Sequence, residues 1–463
     1  MPNPDPAAPT VTLDATRAPE LEAFARRVLE HARDGEQVEV YVARGSNTSV
    51  KAYEGEVESL TSASSSGVGI RVIADHRQGF AHAGTLDDDV ILEVLADARD
   101  NATFGEPDEF FALTPPDGVA PVVQDLWNEA LVSFPTERKV ELALALEQAV
   151  LGRDPRVTGV RSAIYGDSRG EAAIASTAGV LTSWRGTWCS VSVAALAVDG
   201  DETKIGGGVD VGRDPEALDI DATALDAVDR ATRLFGARSV PSERLTVVFE
   251  PRMAATLIGL AGGTLTGERV LKGRSPFADR LGEPIASPQL VLVDDPTDSR
   301  SLGADTFDGE GLACRRNVLI DGGVLTSFLH NGYTGRRAGA ASTGSAVRGY
   351  RSTPGVGCQA LAVVPGTRAH DDIIASIDHG FYLQAMTGLH SGVNPVSGDF
   401  SVGAEGLMIR HGALAEPVRE VTLASTLQRL LLGIVEIGAD LEWLPGGTGS
   451  ATFVVEDVSL SGS

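Results

Sequence analysis

SGVGIRVIADHRQGFAHAGTLD, residues 66–87, decides how the first half of the chain is read. Val68, Ile70 and Val72 alternate with polar or small residues, the period of a strand with one buried face. DHRQG (75–79) is a turn that sends the chain into GFAHAG (79–84). Thr85-Leu86-Asp87 then opens a helix on which Val90, Ile91, Val94, Leu95 and Ala98 recur at helical spacing. Upstream, Leu21, Phe24, Ala25, Val28, Leu29 and Ala32 form an equally clear apolar stripe. Between the two helices, QVEVYVARG (37–45) and TSVKAYEG (48–55) alternate as two strands. The unit is helix, several antiparallel strands, helix.

A second copy of this order follows. A helix from Pro135 to about Leu151 precedes strands at RVTGVRSAIYG (156–166), EAAIASTAG (171–179) and TWCSVSVAALAVDG (187–200), and a helix over about 221–235 closes the unit. This pattern predicts an antiparallel sheet covered by helices on one face. Gly236–Glu243, GARSVPSE, is rich in turn-formers and marks a boundary. Beyond it strands are short and glycine is dense. NVLIDGGVLTSFLH (317–330) reads as a hairpin about Asp321-Gly322-Gly323, and the chain ends in the strand ATFVVEDVSL (451–460). Two helices stand out, over Pro251–Gly262 and Ser425–Ile437. The expected fold is α+β: a flexible leader over 1–18, a helix-covered antiparallel sheet domain over 19–240, and a mostly β, barrel-like domain over 241–463.

With 463 residues the chain suits two or three domains. Its 64 Asp and Glu against 38 Lys and Arg give a net charge of -26. No long run of Lys and Arg stands ready to neutralise phosphates, so neither nucleic acid nor an anionic membrane surface is an expected partner. Cys189, Cys314 and Cys358 are odd in number and lack CxxC spacing, so they read as small buried hydrophobes of a reducing compartment. The first residues show no basic and apolar signal pattern, and the richest apolar window, LQRLLLGIVEIG (427–438), is broken by charge. A cytoplasmic location is expected.

Motifs of catalysis are sparse. There is no phosphate-binding GxxxxGK[ST] loop and no GxSxG; GLHSG (388–392) puts Leu-His where the serine would stand. GLAGGTLTGE (259–268) does not follow a strand in the dinucleotide pattern, so its glycines read as packing or turn residues. Of the eight histidines, none belongs to an HExxH. His76 and His82 flank a turn and suit surface or structural roles. The segment His390–Gly403 gathers His390, Asn394, Ser397 and Asp399, either a site on a loop or a series of Asx- and Ser-turns entering a strand. Turn chemistry is the simpler reading.

Four strings in order change the outlook: residues 66–87, GRSPFADRLGEPIASPQLVLVDD (273–295), FDGEGLACRRNVLIDGGVLTSFLHN (307–331) and NPVSGDFSVGAEGLMIRHGALAEPV (394–418). Together they resemble the TldD/PmbA family of peptidases, once called modulators of DNA gyrase, over roughly residues 45–460. The resemblance implies two kinds of subunit. The TldD-like kind carries an HExxxH zinc helix and a later cysteine ligand; the PmbA-like kind, also called TldE, keeps the fold without the metal. Zinc requires His nitrogens and a thiolate converging at about 2.0–2.3 Å, with an acidic group to handle the proton of the attacking water. Counting back from GRSPF, Ile258 and Gly263 stand where the histidines would be and Gly259 where the glutamate would be. Where the late cysteine belongs, the chain reads ADLEWLPGGTG (439–449).

The resemblance therefore implies a non-catalytic, PmbA/TldE-like subunit of a heteromeric zinc metallopeptidase acting on unfolded peptides. It implies no cofactor in this chain, with zinc expected in the TldD-like partner, and a peptide or small unfolded protein as substrate. The alternative is a stand-alone peptide-binding or scaffold protein of the same fold. A third reading, an enzyme with a new site around His390 and Asp399, rests on the loop alone.

Overall fold

The structure is a computed structural model that describes residues 16–462. Residues 1–15 of the expected leader lie outside the described residues. Its last three positions are not free. Thr16 and Ala18 are buried, and the Ala18 N–H donates to Ser183 Oγ at 2.8 Å.

The first half runs α1 (Pro19–Leu29), β1 (Gln37–Tyr53), β2 (Glu56–Ala74), β3 (Arg77–Ala83) and α2 (Asp88–Phe104). After a short α3 (Glu129–Val132) the order repeats as α4 (Thr136–Val150), β4 (Val157–Ser176), β5 (Leu181–Asp199), β6 (Glu202–Gly212) and α5 (Ile220–Thr232). The strands form one antiparallel half-barrel in the order β3-β2-β1-β4-β5-β6, the two units meeting where β1 pairs with β4. All four long helices cover one face. The stripes of α1 and α2 bury Val38, Val40, Val42, Ile70 and Val72, and those of α4 and α5 bury Tyr165, Val191 and Val193. Burial of such a side chain stabilises by roughly 1.5–3 kcal/mol.

Two segmentations differ from the sequence reading. The two stretches read at 37–45 and 48–55 fall in one strand, β1, which ends at Tyr53, and those read at 156–166 and 171–179 fall in one strand, β4, which ends at Ser176. Gly45, Ser46 and Asn47 look like turn-formers, yet each is paired on both sides, Ser46 with Ser64 and with Arg169. The ladder satisfies their backbone groups and overrides local preference. Gly45 is also required for close approach, since a β-carbon there would lie 2.9 Å from the Arg169 carbonyl oxygen.

The second half begins with β7 (Glu243–Phe249), α6 (Pro251–Thr264), α7 (Gly267–Leu271), β8 (Leu292–Asp294), β9 (Asn317–Asp321), β10 (Val324–Leu325) and α8 (Gly332–Ala338). It continues through β11 (Ala346–Val347), β12 (Gly355–Val356), β13 (Leu361–Val363), α9 (His370–Ala375), β14 (His379–Thr387) and α10 (Leu389–Gly392). The last elements are β15 (Asp399–Arg410), β16 (Ala413–Thr426), α11 (Leu427–Leu432), β17 (Ile434–Ile437), β18 (Glu442–Trp443), β19 (Gly449–Ser450) and β20 (Phe453–Ser461). Strands β16-β15-β14-β7-β20 form a closed five-stranded barrel, because β16 pairs with β20 as well as with β15. Val247, Phe249, Leu257, Phe381, Phe400 and Phe453 fill one core between barrel and α6. A second sheet, β10-β9-β8-β13-β19-β18, packs on the other side of that helix.

The hairpin about Asp321-Gly322-Gly323 forms as read, with both glycines at positive φ. The helix expected over Ser425–Ile437 does not run through. It stops at Leu432, Gly433 follows, and Ile434–Ile437 turn into a strand paired with β20.

A buried ion cluster joins the two halves. Arg71 donates from Nε and Nη2 to the Glu39 carboxylate at 3.1 and 2.8 Å, and Arg348, carried by the second half, donates to the same carboxylate. The three side chains are 4%, 2% and 0% exposed respectively. Burial works against the Glu39 charge, but the two guanidiniums outweigh it and hold the carboxyl below its ordinary range.

Candidate functional site

Helix α6 divides its residues between two environments. Ala254, Leu257, Ile258 and Ala261 are buried in the core. Gly259 and Gly263, four apart and so on one face, leave a bare wall, where a β-carbon on either would meet no atom within 4 Å. Gly262 has the opposite reason to be glycine: a β-carbon there would lie 2.7 Å from Leu361 Cδ2 and 3.1 Å from Cys358 Sγ.

The bare wall borders a cavity of about 570 Å³, within the range of small-ligand sites. Three stretches far apart in sequence complete it. After α6 the chain turns through α7, and the Arg274 N–H donates to the Arg269 carbonyl at 2.8 Å, returning Arg274 beside Arg269. The second wall is the segment from Val356 to Leu361, held by the Gln359 and Ala360 N–H groups, which both donate to Asp294 Oδ1 at 2.8 Å. Burial pushes the Asp294 carboxyl up to about 6 despite those bonds. The third wall is a tight turn holding Gly446 and Thr448, closed by the Leu444 N–H donating to the Thr448 carbonyl at 2.9 Å.

Of the positions singled out by resemblance, Gly259 and Gly263 line this cavity, and so does the turn at 446–448 where the family's cysteine was sought. Ile258 does not; its side chain is fully buried in the barrel core. Cys189 and Cys314 are buried as expected, while Cys358 is only partly covered and faces the cavity. Burial raises its thiol well above the ordinary range, against a thiolate. Among the described residues, no group of three or more His, Cys, Asp or Glu side chains converges as a metal cage.

Sequence reasoning missed the cavity's charge. Arg269, Lys272 and Arg274 line it, opposed by Glu268 alone. RVLKGR (269–274) was the available signal: three cations within six residues of an acidic chain.

The other candidates are structural. Ser397 Oγ donates to Asp399 Oδ2 at 2.6 Å, the Val396 N–H donates to Asn394 Oδ1 at 2.9 Å, and His390 is exposed. The loop is a set of side-chain-closed turns. His82 lies against Phe80, and His76 occupies a positive-φ turn position. Arg336 donates to the Phe110 and Ala112 carbonyls, and Arg337 lies over Phe110 and Tyr333, so both tie the halves together.

A separate groove of about 730 Å³ lies on the half-barrel, with Arg44, Ser64, Trp127, Arg169 and Tyr350 on its walls. No helix among the described residues is long and apolar enough to cross a membrane.

A half-barrel followed by a closed five-stranded barrel, with a glycine-walled helix beside a cavity, defines a two-part α+β protein built around one inward-facing helix. Residues 38–102, 129–235 and 242–462 match, in order, PmbA/TldA metallopeptidase domain 1, the PmbA/TldA metallopeptidase central domain and the PmbA/TldA metallopeptidase C-terminal domain. The chain belongs to the PmbA/TldD metallopeptidase family. It is 27% identical over 415 residues to metalloprotease PmbA of Escherichia coli O157:H7, covering 87% of this chain and 88% of that one. It is 26% identical over 422 residues to the metalloprotease TldD homologue of Haemophilus influenzae, covering 86% and 87%. The fold matches the crystal structure of TldE from Thermococcus kodakarensis with a TM-score of 0.86 at 24% identity, covering 96% and 99%.

Proposed function

We propose that this chain is a PmbA/TldE-like subunit with no catalytic metal site, which works in the cytoplasm with a TldD-like partner that hydrolyses peptides or small unfolded proteins. Overall identity does not separate the two kinds of subunit, since a PmbA and a TldD homologue score almost alike. The observation that carries the reading is the cavity wall. Two of the three positions implied for ligands and base are glycines with nothing to coordinate or to accept a proton, and the third, Ile258, is packed in the core. The residues present do not fit a zinc ion. Peptide-bond hydrolysis then belongs to the partner, and this chain contributes enclosure and substrate binding, for which the open groove on the half-barrel offers polar and aromatic contacts.

The test is elemental analysis and peptidase assay of the purified chain, alone and mixed with a TldD-like subunit from the same host. The expected result is substoichiometric zinc and no hydrolysis alone, and hydrolysis in the mixture that exceeds the partner's own. One tightly held zinc per chain would overturn the reading. Peptide binding without any association with such a partner would favour a stand-alone peptide-binding protein.

A further inference from the structure

The cavity beside α6 is basic in a strongly acidic molecule. Glu268 is bonded to Lys272 at 2.5 Å, which leaves Arg269 and Arg274 as its uncompensated charges. Neither has an ion-pair or side-chain hydrogen-bond partner among the described residues, whereas most arginines of this chain are paired. At physiological ionic strength the net charge of -26 is screened beyond about 8 Å, so an anion in the cavity responds to these near guanidiniums more than to the distant carboxylates. The bare wall at Gly259 and Gly263 lets a main chain come close, which no side chain there would permit.

We propose that this cavity is a carboxylate site that takes the C-terminal carboxylate of a peptide. A guanidinium fork suits that group in charge and shape. The peptide origin of the carboxylate rests on the proposed function; the preference for an anion rests on the cavity alone. Ligand polarity follows: the chain end enters beside α6, and the rest of the peptide extends outward.

The experiment measures calorimetric binding of an N-acetylated tetra-alanine to the full chain, as the free acid and as the C-terminal amide, at low and high salt, with inorganic phosphate as a separate ligand. The acid should bind roughly tenfold more tightly than the amide, as charge-assisted bonds to two guanidiniums allow, and the advantage should shrink with salt. The double variant Arg269→Gln/Arg274→Gln should abolish the advantage; both side chains are exposed, so the fold is retained. Gly259→Glu, which introduces a carboxylate into open space, should abolish it independently. Equal affinity for acid and amide, or a preference that survives the double variant, overturns the proposal. Phosphate binding that is lost in the double variant, with no binding of the acid peptide, overturns the peptide as occupant and leaves an anion site, while the zinc assay above decides the subunit assignment separately.

Discussion

Replacing Glu39 with Gln puts the joint between the two halves under test. The substitution keeps the shape of the side chain and removes its charge, leaving Arg71 and Arg348, 4% and 0% exposed, without their shared carboxylate. Glu310 lies 3.7 Å from Arg71 and compensates in part, but it already accepts the Gly332 N–H at 2.7 Å and the Thr114 hydroxyl at 3.1 Å. Breaking a buried pair by removing one partner costs about 3–5 kcal/mol, and the residual help from Glu310 places this case near the lower end. At about 2–4 °C per kcal/mol for a domain of this size, the melting temperature should fall by roughly 6–12 °C. Thermal unfolding followed by circular dichroism measures it. Glu39→Leu/Arg71→Met/Arg348→Met, which removes the shared carboxylate and both guanidiniums together, should recover part of the loss, because well-packed apolar replacements of buried ion clusters are often neutral or stabilising, while Glu310 loses Arg71 and keeps its bonds from Gly332 and Thr114. A Glu39→Gln midpoint within 1–2 °C of the parent would refute the reasoning, since it would mean that the cluster is hydrated and worth no more than an exposed pair.

The three glycines of α6 should behave differently. Gly259→Ala and Gly263→Ala each gain about 0.5–1 kcal/mol of helix stability, while Gly262→Ala should lose about 1 kcal/mol or more against Leu361 and Cys358, as urea midpoints would show. Burial pushes Asp305 and Asp308 up to about 7 and Asp294 up to about 6. These groups hold protons in the folded chain that the unfolded chain has released, so their contribution is fully present below the unfolded value near 4 and is lost as pH rises through 6–7. Melting temperature should therefore rise as pH is lowered from 8 to 6; a steady fall across that window would contradict it. His390→Ala/Asp399→Ala should leave stability within about 0.5 kcal/mol of the parent and leave the peptidase rate of a reconstituted complex unchanged, and a large loss of rate would revive a catalytic loop.

The helices of the first half were legible because each carries a one-sided stripe at 3.6-residue spacing, and nothing in the tertiary structure opposes it. Strand ends were not, because Gly45, Ser46 and Asn47 have turn chemistry and only pairing on both flanks keeps them extended. In LQRLLLGIVEIG the apolar spacing continues past Gly433, and it is the vacant position beside β20 that draws Ile434–Ile437 out of the helix. The cavity was half legible. Gly259 and Gly263 could be named from a motif, but the walls from Val356 to Leu361 and at Gly446 and Thr448 are brought in by topology alone. Nothing local in the sequence marks Arg348 as buried, for the same reason: its carboxylate partner is Glu39, in the other half of the chain.

The path of α6 bears on what a metal site at these positions would require. On an α-helix, residues five apart point about 140° away from each other, and here Gly263 faces the cavity while Ile258 sits in the barrel core. Writing histidine, glutamate and histidine into positions 258, 259 and 263 would fill empty space at the last two and drive an imidazole into the barrel core at the first. On the proposed reading, the lack of a metal site is therefore set by packing as well as by composition. Building a metal site here would need the helix to be rewound and the core rebuilt behind it, a demand that the three letters alone do not reveal.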